Sequence, residues 1–379
     1  MGSTTGHLAP KLFVLSTLVA LCMIAASSAQ ASCGSVTCFV IIGSQQQVPQ
    51  KGLLTINAIY NYTPMRLQNG TSGVISAVEP ADRLLILDHH QEIQTITQTY
   101  TMNLNYGVTD RFGLEVNIPF LNRQHKHIDG LGEGGMNGEG EAQSFSNNGL
   151  GDMTVTAKYN MLPTLRSMVV TGFGVQLPTG KHNQTDSTGE VTESSIQLGR
   201  GQLGLIGTIY QTYELIPHKL NQMAFASYRH TFRNNEGYQF GDEYLLNVGL
   251  NYVAQPWLTL MGQFNYRYLV HDNMSASLER SATPADCVGP VPCPPTFPGE
   301  PISIDSTITD RQVPNTGSTY LAFTPGFQIS VSELVKAPWA QMTSLYFYSQ
   351  IPVARDANNN LVQGTSFVFG LTRSFQVSQ

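Results

Sequence analysis

The sequence predicts an all-β protein, a transmembrane antiparallel up-and-down β-barrel of about twelve strands. The first observation is that only 12% of its 379 residues are charged, about half of the roughly 25% usual in soluble proteins. Beyond the N-terminal region, no run reaches the roughly 18 apolar residues that a membrane helix needs. Low charge without such a run is typical of a barrel, whose lipid face uses alternate residues. The other two observations are strand periodicity and the lengths of the connections.

Long segments alternate between apolar and polar side chains. In 94–106, one face carries Tyr100 and Met102, and the other carries Thr99 and Asn103. Most segments reach the roughly 9–11 residues of a tilted membrane-spanning strand, whereas soluble strands average nearer five or six. A secreted soluble β-protein would also alternate, but it would not need strands of this length. The predicted strands are 53–62, 93–106, 111–121, 151–162, 166–177, 201–214, 220–231, 243–253, 257–270, 318–331, 341–352 and 364–375.

The connections between these strands alternate in length. Those after even-numbered strands are short, and 332–340 is the longest of them. Those after odd-numbered strands are long, at 63–92, 122–150, 178–200, 232–242, 271–317 and 353–363. Outer-membrane barrels have short periplasmic turns and longer extracellular loops. The pattern therefore places both termini of the barrel in the periplasm.

The N-terminus predicts a cleaved signal peptide over residues 1–31. Lys11 precedes an apolar core, and Ala29-Gln30-Ala31 is a small-x-small cleavage site. The alternatives are a membrane anchor, for which the apolar run is too short, and a lipoprotein attached at Cys33. The predicted domains are then a periplasmic segment, 32–52, and an outer-membrane barrel of a Gram-negative bacterium, 53–379. Because 39–42 is apolar, a further hypothesis is that this segment folds into the barrel mouth.

Four cysteines remain after cleavage, in two close pairs. Cys33 and Cys38 lie in the N-terminal segment, and Cys287 and Cys293 lie in the predicted extracellular loop 271–317. Export permits disulfides, and local pairing is the simplest of three connectivities. Neither spacing suits zinc. We expect both pairs to be structural disulfides.

Metal and catalytic sites are not predicted, and neither is a cofactor. His89-His90 and His125-Lys126-His127 fall in predicted exposed loops, where no third metal ligand is identifiable. Ser227 and His230 have an odd spacing, which puts them on opposite faces of a strand. Gly-x-Ser-x-Gly is absent. The chain is therefore not expected to be an enzyme.

The polar faces of the predicted strands define the expected lining of the lumen. Threonine and amide side chains dominate these faces, and charges are few, so strong ion selectivity is not expected. Such a lining suits uncharged or weakly polar solutes, although the same residues could form a hydrogen-bonded plug that closes the barrel. The predicted lining residues are Thr99, Asn103, Glu115, Asn117, Lys158, Asn247, Asn251, Gln263, Asn265 and Arg267.

Several motifs within 93–270 carry a family resemblance. They are Gly107 to Gly113, Gly149-Leu150-Gly151-Asp152, Gly172 to Leu177 followed by Pro178-Thr179-Gly180, and Leu198-Gly199-Arg200-Gly201. With these motifs the chain resembles a bacterial family of outer-membrane transporters associated with the meta-pathway of phenol degradation. The resemblance implies a channel for small organic, often aromatic, compounds. The cysteine-bearing N-terminus and loop 271–317 lie outside it.

The expected function is passive diffusion of small uncharged or aromatic organic solutes across the outer membrane. The alternative is a plugged scaffold or binding barrel whose long loops or lumen engage a protein partner. Prolines in loop 271–317 favour that alternative because they stiffen the loop. Outer-membrane lipid and a small solute are the expected partners. Nucleic acid is not, because the net charge is −6 and no long basic run occurs.

Overall fold

A computed structural model describes residues 39–40, 42–129, 141–164, 166–185, 191–281 and 301–377 of the chain. The predicted signal peptide and the four cysteines expected to form disulfides lie outside these ranges. Secondary structure is almost entirely β. The strands are β1 (Leu53–Arg66), β2 (Val74–Glu79), β3 (Leu84–Gly107), β4 (Phe112–Asp129), β5 (Glu141–Leu150), β6 (Met153–Asn160), β7 (Ser167–Leu177), β8 (Gly204–Ile216), β9 (Leu220–Thr231), β10 (Tyr238–Gln239), β11 (Glu243–Gln255), β12 (Leu258–Leu269), β13 (Asn273–Ser281), β14 (Pro301–Gln312), β15 (Ser318–Ser330), β16 (Thr343–Asp356), β17 (Val362–Gln363) and β18 (Ser366–Gln376).

These strands form a closed antiparallel barrel with a wall of twelve strands, as predicted. β5 and β6 together make one wall strand, because β4 pairs with both of them in turn. Consecutive wall strands pair around the barrel. The last, β18, pairs with the first, β1, from Leu53↔Gln376 to Tyr62↔Phe367. Each predicted span matches one wall strand, and the span predicted for 220–231 coincides with β9.

The structure departs from the prediction beyond the outer ends of the spanning strands. β3 begins at Leu84 and β4 runs on to Asp129, so the two stay paired within segments predicted as loops 63–92 and 122–150. β13 and β14 pair inside the predicted loop 271–317, and β13 adds to β3 in parallel. The apolar–polar alternation does not continue through these extensions, so the sequence pattern did not indicate them.

The outward face of the wall carries an exposed apolar band. Its members include Tyr100, Met102, Phe120, Phe173, Leu250, Phe264, Phe327 and Phe369. The alternate side chains, which point inward, are mostly polar and buried. Trp257 and Trp339 are exposed at the end with the short connections, where amphipathic rings favour the membrane interface. No helix among the described residues is long and apolar enough to cross a membrane.

The described part of the N-terminal segment, 39–40 and 42–50, lies inside this wall. Phe39 packs against Tyr320, near the outer end of β15. Ile42 is buried in a cluster with Ile59, Tyr346, Tyr348 and Val368. At the other end of the segment, Gly52 N–H donates to the carbonyl of Gly107 at the rim with short turns. The segment therefore runs through the barrel interior toward the predicted periplasmic rim.

Two glycines make room for the aromatic rings beside this segment. Gly370 is the cross-strand neighbour of Tyr346, and Gly326 is that of Tyr348. A methyl group at either glycine would overlap the ring of its tyrosine. The absence of a side chain at both positions therefore lets the two rings lie against the wall and pack on Ile42.

We predict that Gly370→Ala destabilises the barrel by about 1–3 kcal/mol, since the Tyr346 ring has to move within a packed cluster. The midpoint of guanidinium unfolding of the detergent-solubilised protein measures the change. Gly207→Ala is the matched control, because a methyl group there meets no atom of the described residues within 4 Å. Equal midpoints for the two variants would contradict the packing of Tyr346 over Gly370.

Candidate functional site

A cavity of about 300 Å³ lies inside the barrel. Its floor is the N-terminal segment, through Val40, Ile42 and Gln45. Its roof is the inward-folded segment 191–200, called the roof segment below, which contributes residues from Ser194 to Arg200. Inward-facing residues of the wall complete the lining. The barrel thus encloses a chamber between two chain segments that are not part of the wall.

Asp152 anchors the roof segment to the wall. Its carboxylate accepts hydrogen bonds from the backbone N–H of Gly180 at 3.0 Å and of Arg200 at 2.8 Å. Thr179 Oγ1 donates to the carbonyl of Gly151 at 2.8 Å. A side chain at Gly199 would overlap the backbone of Gly180, so the two segments touch backbone to backbone. Three of the family motifs, separate in sequence, therefore meet at one point beside the cavity.

Arg123 makes a second connection between wall and roof segment. Its guanidinium donates to the carbonyl of Gln197 at 2.7 Å and to that of Ser195 at 3.4 Å. Nε donates to Thr97 Oγ1 at 3.3 Å. Arg123 is buried, and hydrogen bonds from charged donors are stronger than neutral ones. These bonds hold the roof segment over the cavity.

The floor is tied to the wall by Lys158. This side chain forms an ion pair with Glu115 and also donates to the carbonyl of Gln45 in the N-terminal segment. Asn105 Nδ2 donates to the carbonyl of Gln47 at 2.8 Å. The floor is thus held by polar contacts to its backbone and by the apolar packing of Ile42.

A belt of side-chain hydrogen bonds crosses five neighbouring wall strands at one level. Thr372 Oγ1 donates to Asn57 Oδ1 at 2.5 Å, and Asn57 Nδ2 donates to Asn103 Oδ1 at 2.6 Å. Asn103 Nδ2 donates to Asn117 Oδ1 at 2.8 Å, and Asn117 Nδ2 donates to Thr154 Oγ1 at 3.1 Å. Each pair is directly opposite in the strand register. The belt satisfies buried amides that would otherwise be costly in the interior.

The opposite wall carries the rest of the predicted lining residues. Asn265 Nδ2 donates to Asn247 Oδ1 at 2.7 Å and to Gln263 Oε1 at 3.0 Å. Asn251 Nδ2 lies 3.6 Å from the sulfur of Met223. Arg267 places its guanidinium 5.4 Å from the ring centroid of Phe39 in the N-terminal segment. These residues brace the wall and the N-terminal segment.

The ten predicted lining residues thus divide into groups. Thr99 and Asn117 line the cavity, and Glu115 and Lys158 hold its floor. Asn103 belongs to the belt, and the remaining five lie on the opposite wall. All ten are buried or half-buried. Their use as a solute pathway stays a prediction.

The expectation of a lining with few charges omitted three arginines. Arg123, Arg200 and Arg229 all line the cavity together with Asp152. Arg123 lies beyond the end of the predicted spanning strand, and Arg200 lies in a predicted loop. Strand alternation therefore did not predict which way either side chain faces. Arg229 lies within the predicted strand 220–231, at an even spacing from Met223 and Thr231, which are buried, and that spacing was the signal available. It pairs with Glu243 at 3.2 Å.

The prediction that His89-His90 and His125-Lys126-His127 lie in exposed loops was wrong. They belong to the outer extensions of β3 and β4, where His90 pairs with Ile75 of β2 and His125 pairs with Thr95 of β3. His90 is 3% exposed and His125 is 2% exposed. His125 Nδ1 lies 2.8 Å from Thr95 Oγ1. Burial lowers the pKa of His125, although the nearby Glu92 opposes this shift.

Among solved structures, the chain is similar to the COG4313 outer membrane channel from Pseudomonas putida F1. The TM-score is 0.51 at 13% identity, covering 89% of this chain and 100% of that one. The transport unit of the autotransporter AIDA-I from Escherichia coli gives 0.43 at 10% identity, covering 89% and 93%. The CymD monoaromatic hydrocarbon channel gives 0.34 at 10% identity, covering 86% and 90%. At these identities, the first match shows a shared outer-membrane barrel fold.

No curated protein matches the chain. A family model described as "Putative MetA-pathway of phenol degradation" matches residues 85–281, just over half of the chain. The match includes the motifs that meet at Asp152 and agrees with the resemblance expected over 93–270. The COG4313 protein and CymD are themselves described as channels. The chain therefore belongs to the MetA-pathway of phenol degradation family.

Proposed function

We propose that the barrel is a channel through which small organic solutes, uncharged or aromatic, cross the outer membrane by passive diffusion. The cavity between floor and roof segment carries this proposal, because a barrel built only as a scaffold needs no such chamber. Its volume of about 300 Å³ is at the small end of the range for ligand pockets. The family name links this fold to phenol, which is a solute of that class.

The lining supports a solute of mixed polarity. Thr99, Thr154 and Asn117 offer hydroxyl and amide groups, whereas Ile59, Leu121 and Val368 offer apolar surface. Ligand sites usually combine apolar walls with a few polar groups that orient the ligand. A ring of one charge sign would favour ions.

The arginines do not form such a ring. Arg123 donates to roof-segment carbonyls, and Arg229 pairs with Glu243. Arg200 donates to Thr231 Oγ1 at 2.7 Å and lies over the Phe240 ring at 4.9 Å. Each guanidinium is therefore engaged by the protein, and we infer that the chamber favours uncharged solutes over ions.

Passage requires the floor to move, because the N-terminal segment lies between the cavity and the short-turn rim. The segment is not part of the wall, and it is held by hydrogen bonds to its backbone and by the packing of Ile42 and Val48. We infer that displacement of this segment opens the cavity toward the short-turn rim while the wall stays closed. In this mechanism, Glu115, Lys158 and Asn105 hold the floor in place. Thr99 and Asn117 contact the solute.

We propose that residues 1–31 are removed on export to the outer membrane. We also propose that Cys33–Cys38 and Cys287–Cys293 form local disulfides, because an exported protein folds in an oxidising environment.

Deletion of residues 33–47 is expected to raise single-channel conductance in planar bilayers by about tenfold, since the floor is removed while the wall remains closed. Trimming residues 282–300 is the control, and it should leave conductance and solute flux unchanged. Unchanged conductance after the N-terminal deletion would contradict the role of the segment as a floor. Absence of solute flux in the wild-type protein and in the deletion would instead favour the scaffold function.

A larger side chain in the cavity gives a second test of the solute path. We expect Thr99→Trp to lower phenol uptake by proteoliposomes about tenfold, because an indole is large relative to the chamber. Met102→Trp is the matched control, since Met102 lies on the same strand but faces the lipid. Equal uptake by the two variants would show that phenol does not pass through this chamber.

A further inference from the structure

A group of imidazole and carboxylate side chains lies above the apolar band and outside the cavity lining. It consists of His90, Glu92, His125, His127 and Glu193, here called the histidine–glutamate cluster. The first two belong to β3, His125 and His127 belong to β4, and Glu193 belongs to the roof segment. His90, Glu92 and His125 are buried. The proposed channel function uses none of these side chains.

The cluster is compact enough to hold an ion. One ligand atom each from His90, Glu92 and Glu193 lie within 4.8 Å of one another. Nε2 of His90 is 3.4 Å from Glu92 Oε1, and Nδ1 of His90 is 3.8 Å from Glu193 Oε1. Zinc bonds of about 2.0–2.2 Å in a tetrahedral site place neighbouring ligand atoms roughly 3.3–3.6 Å apart. The two distances end on different ring nitrogens of His90, and one nitrogen alone would bind the ion. Rotation of side chains would have to bring the three ligand atoms from within 4.8 Å of one another to that spacing.

Two further imidazoles, those of His125 and His127, lie beside these ligands. His125 Nε2 lies 3.6 Å from Glu92 Oε2 and 3.0 Å from His127 Nδ1. The ring centroids of His90 and His127 are 4.8 Å apart. The other nitrogen of His125 contacts the hydroxyl of Thr95 at 2.8 Å. Metal-bound histidines commonly hold their second ring nitrogen by such an outer contact.

The charge of the cluster also favours a cation. Two carboxylates lie close together with little solvent, and like charges in such a place repel strongly. Arg123, which donates to Ser195, Gln197 and Thr97, supplies one positive charge nearby. A divalent ion would supply two positive charges between the carboxylates. Protonation of the imidazoles is the alternative source of positive charge, and it would leave no affinity for a metal.

We propose that the histidine–glutamate cluster binds one divalent transition-metal ion, with His90, Glu92 and Glu193 as ligands and His125 or His127 completing the set. Mixed imidazole and carboxylate donors suit zinc and its first-row neighbours better than magnesium or calcium. Because Glu193 lies on the roof segment and the other ligands lie on the wall, the bound ion ties the roof to the wall. The site does not depend on the identity of the transported solute.

Calorimetric titration with zinc chloride tests the site. The full-length protein in detergent, first stripped with a chelator, is expected to bind one Zn²⁺ per chain. His90→Gln and Glu193→Gln should each weaken binding by at least about tenfold. His218→Asn is the matched control, because the side chain of His218 is 96% exposed in a turn and its φ of 57° is one that asparagine tolerates.

A second measurement identifies the donors. Electron paramagnetic resonance of the Cu²⁺-loaded protein should show nitrogen hyperfine coupling, which His90→Gln reduces and His218→Asn leaves unchanged. Folding of each variant is checked by its heat-modifiable migration on gels. No saturable Zn²⁺ binding, or equal binding by the wild type and both cluster variants, would overturn the proposal. Equal binding would place the ion on the cysteines or on other surface groups. Both measurements detect the bound metal, so their results do not depend on whether the protein transports a solute.

Discussion

The pairing of backbone hydrogen-bonding groups inside a lipid bilayer is the constraint on which this structure depends. Lipid offers no partner for an exposed N–H or carbonyl, so a β-sheet can cross only as a closed barrel. Closure here is the pairing of β1 with β18 along their length. Once the wall is closed, alternate side chains must face lipid and lumen. The apolar band and the polar interior both follow from that geometry.

The polar interior then needs partners of its own. Amides opposite one another in the register satisfy each other in the belt from Thr372 to Thr154. The remaining space is occupied by chain that is not part of the wall. The N-terminal segment enters from one side and the roof segment from the other, and the cavity is the gap between them. The candidate site is therefore a consequence of incomplete filling of a closed barrel.

Beyond the apolar band, the strands no longer need one apolar face toward lipid. The parts of the outer extensions nearest the band, 88–92 of β3 and 122–127 of β4, are polar on both faces, whereas 84–87 is apolar. Imidazoles and carboxylates can then gather at their junction with the roof segment, where His90, Glu92 and Glu193 meet. A small apolar core that includes Leu85, Tyr238 and Met274 packs among the outer strands. The outer end thus has a tertiary structure of its own above the spanning wall.

The sequence by itself determined the strands, their facing and their alternating connections. These properties are local, since side-chain alternation has a period of two residues and turn length is read directly. The convergence of Asp152 with Gly180 and Arg200 was decided by tertiary structure, as was the entry of Arg123 into the cavity lining. So were the burial of His90 and His125 and the path of the N-terminal segment through the barrel. These contacts join residues far apart in the chain, such as Lys158 and Gln45, and no local pattern encodes which distant segments a closed wall brings together.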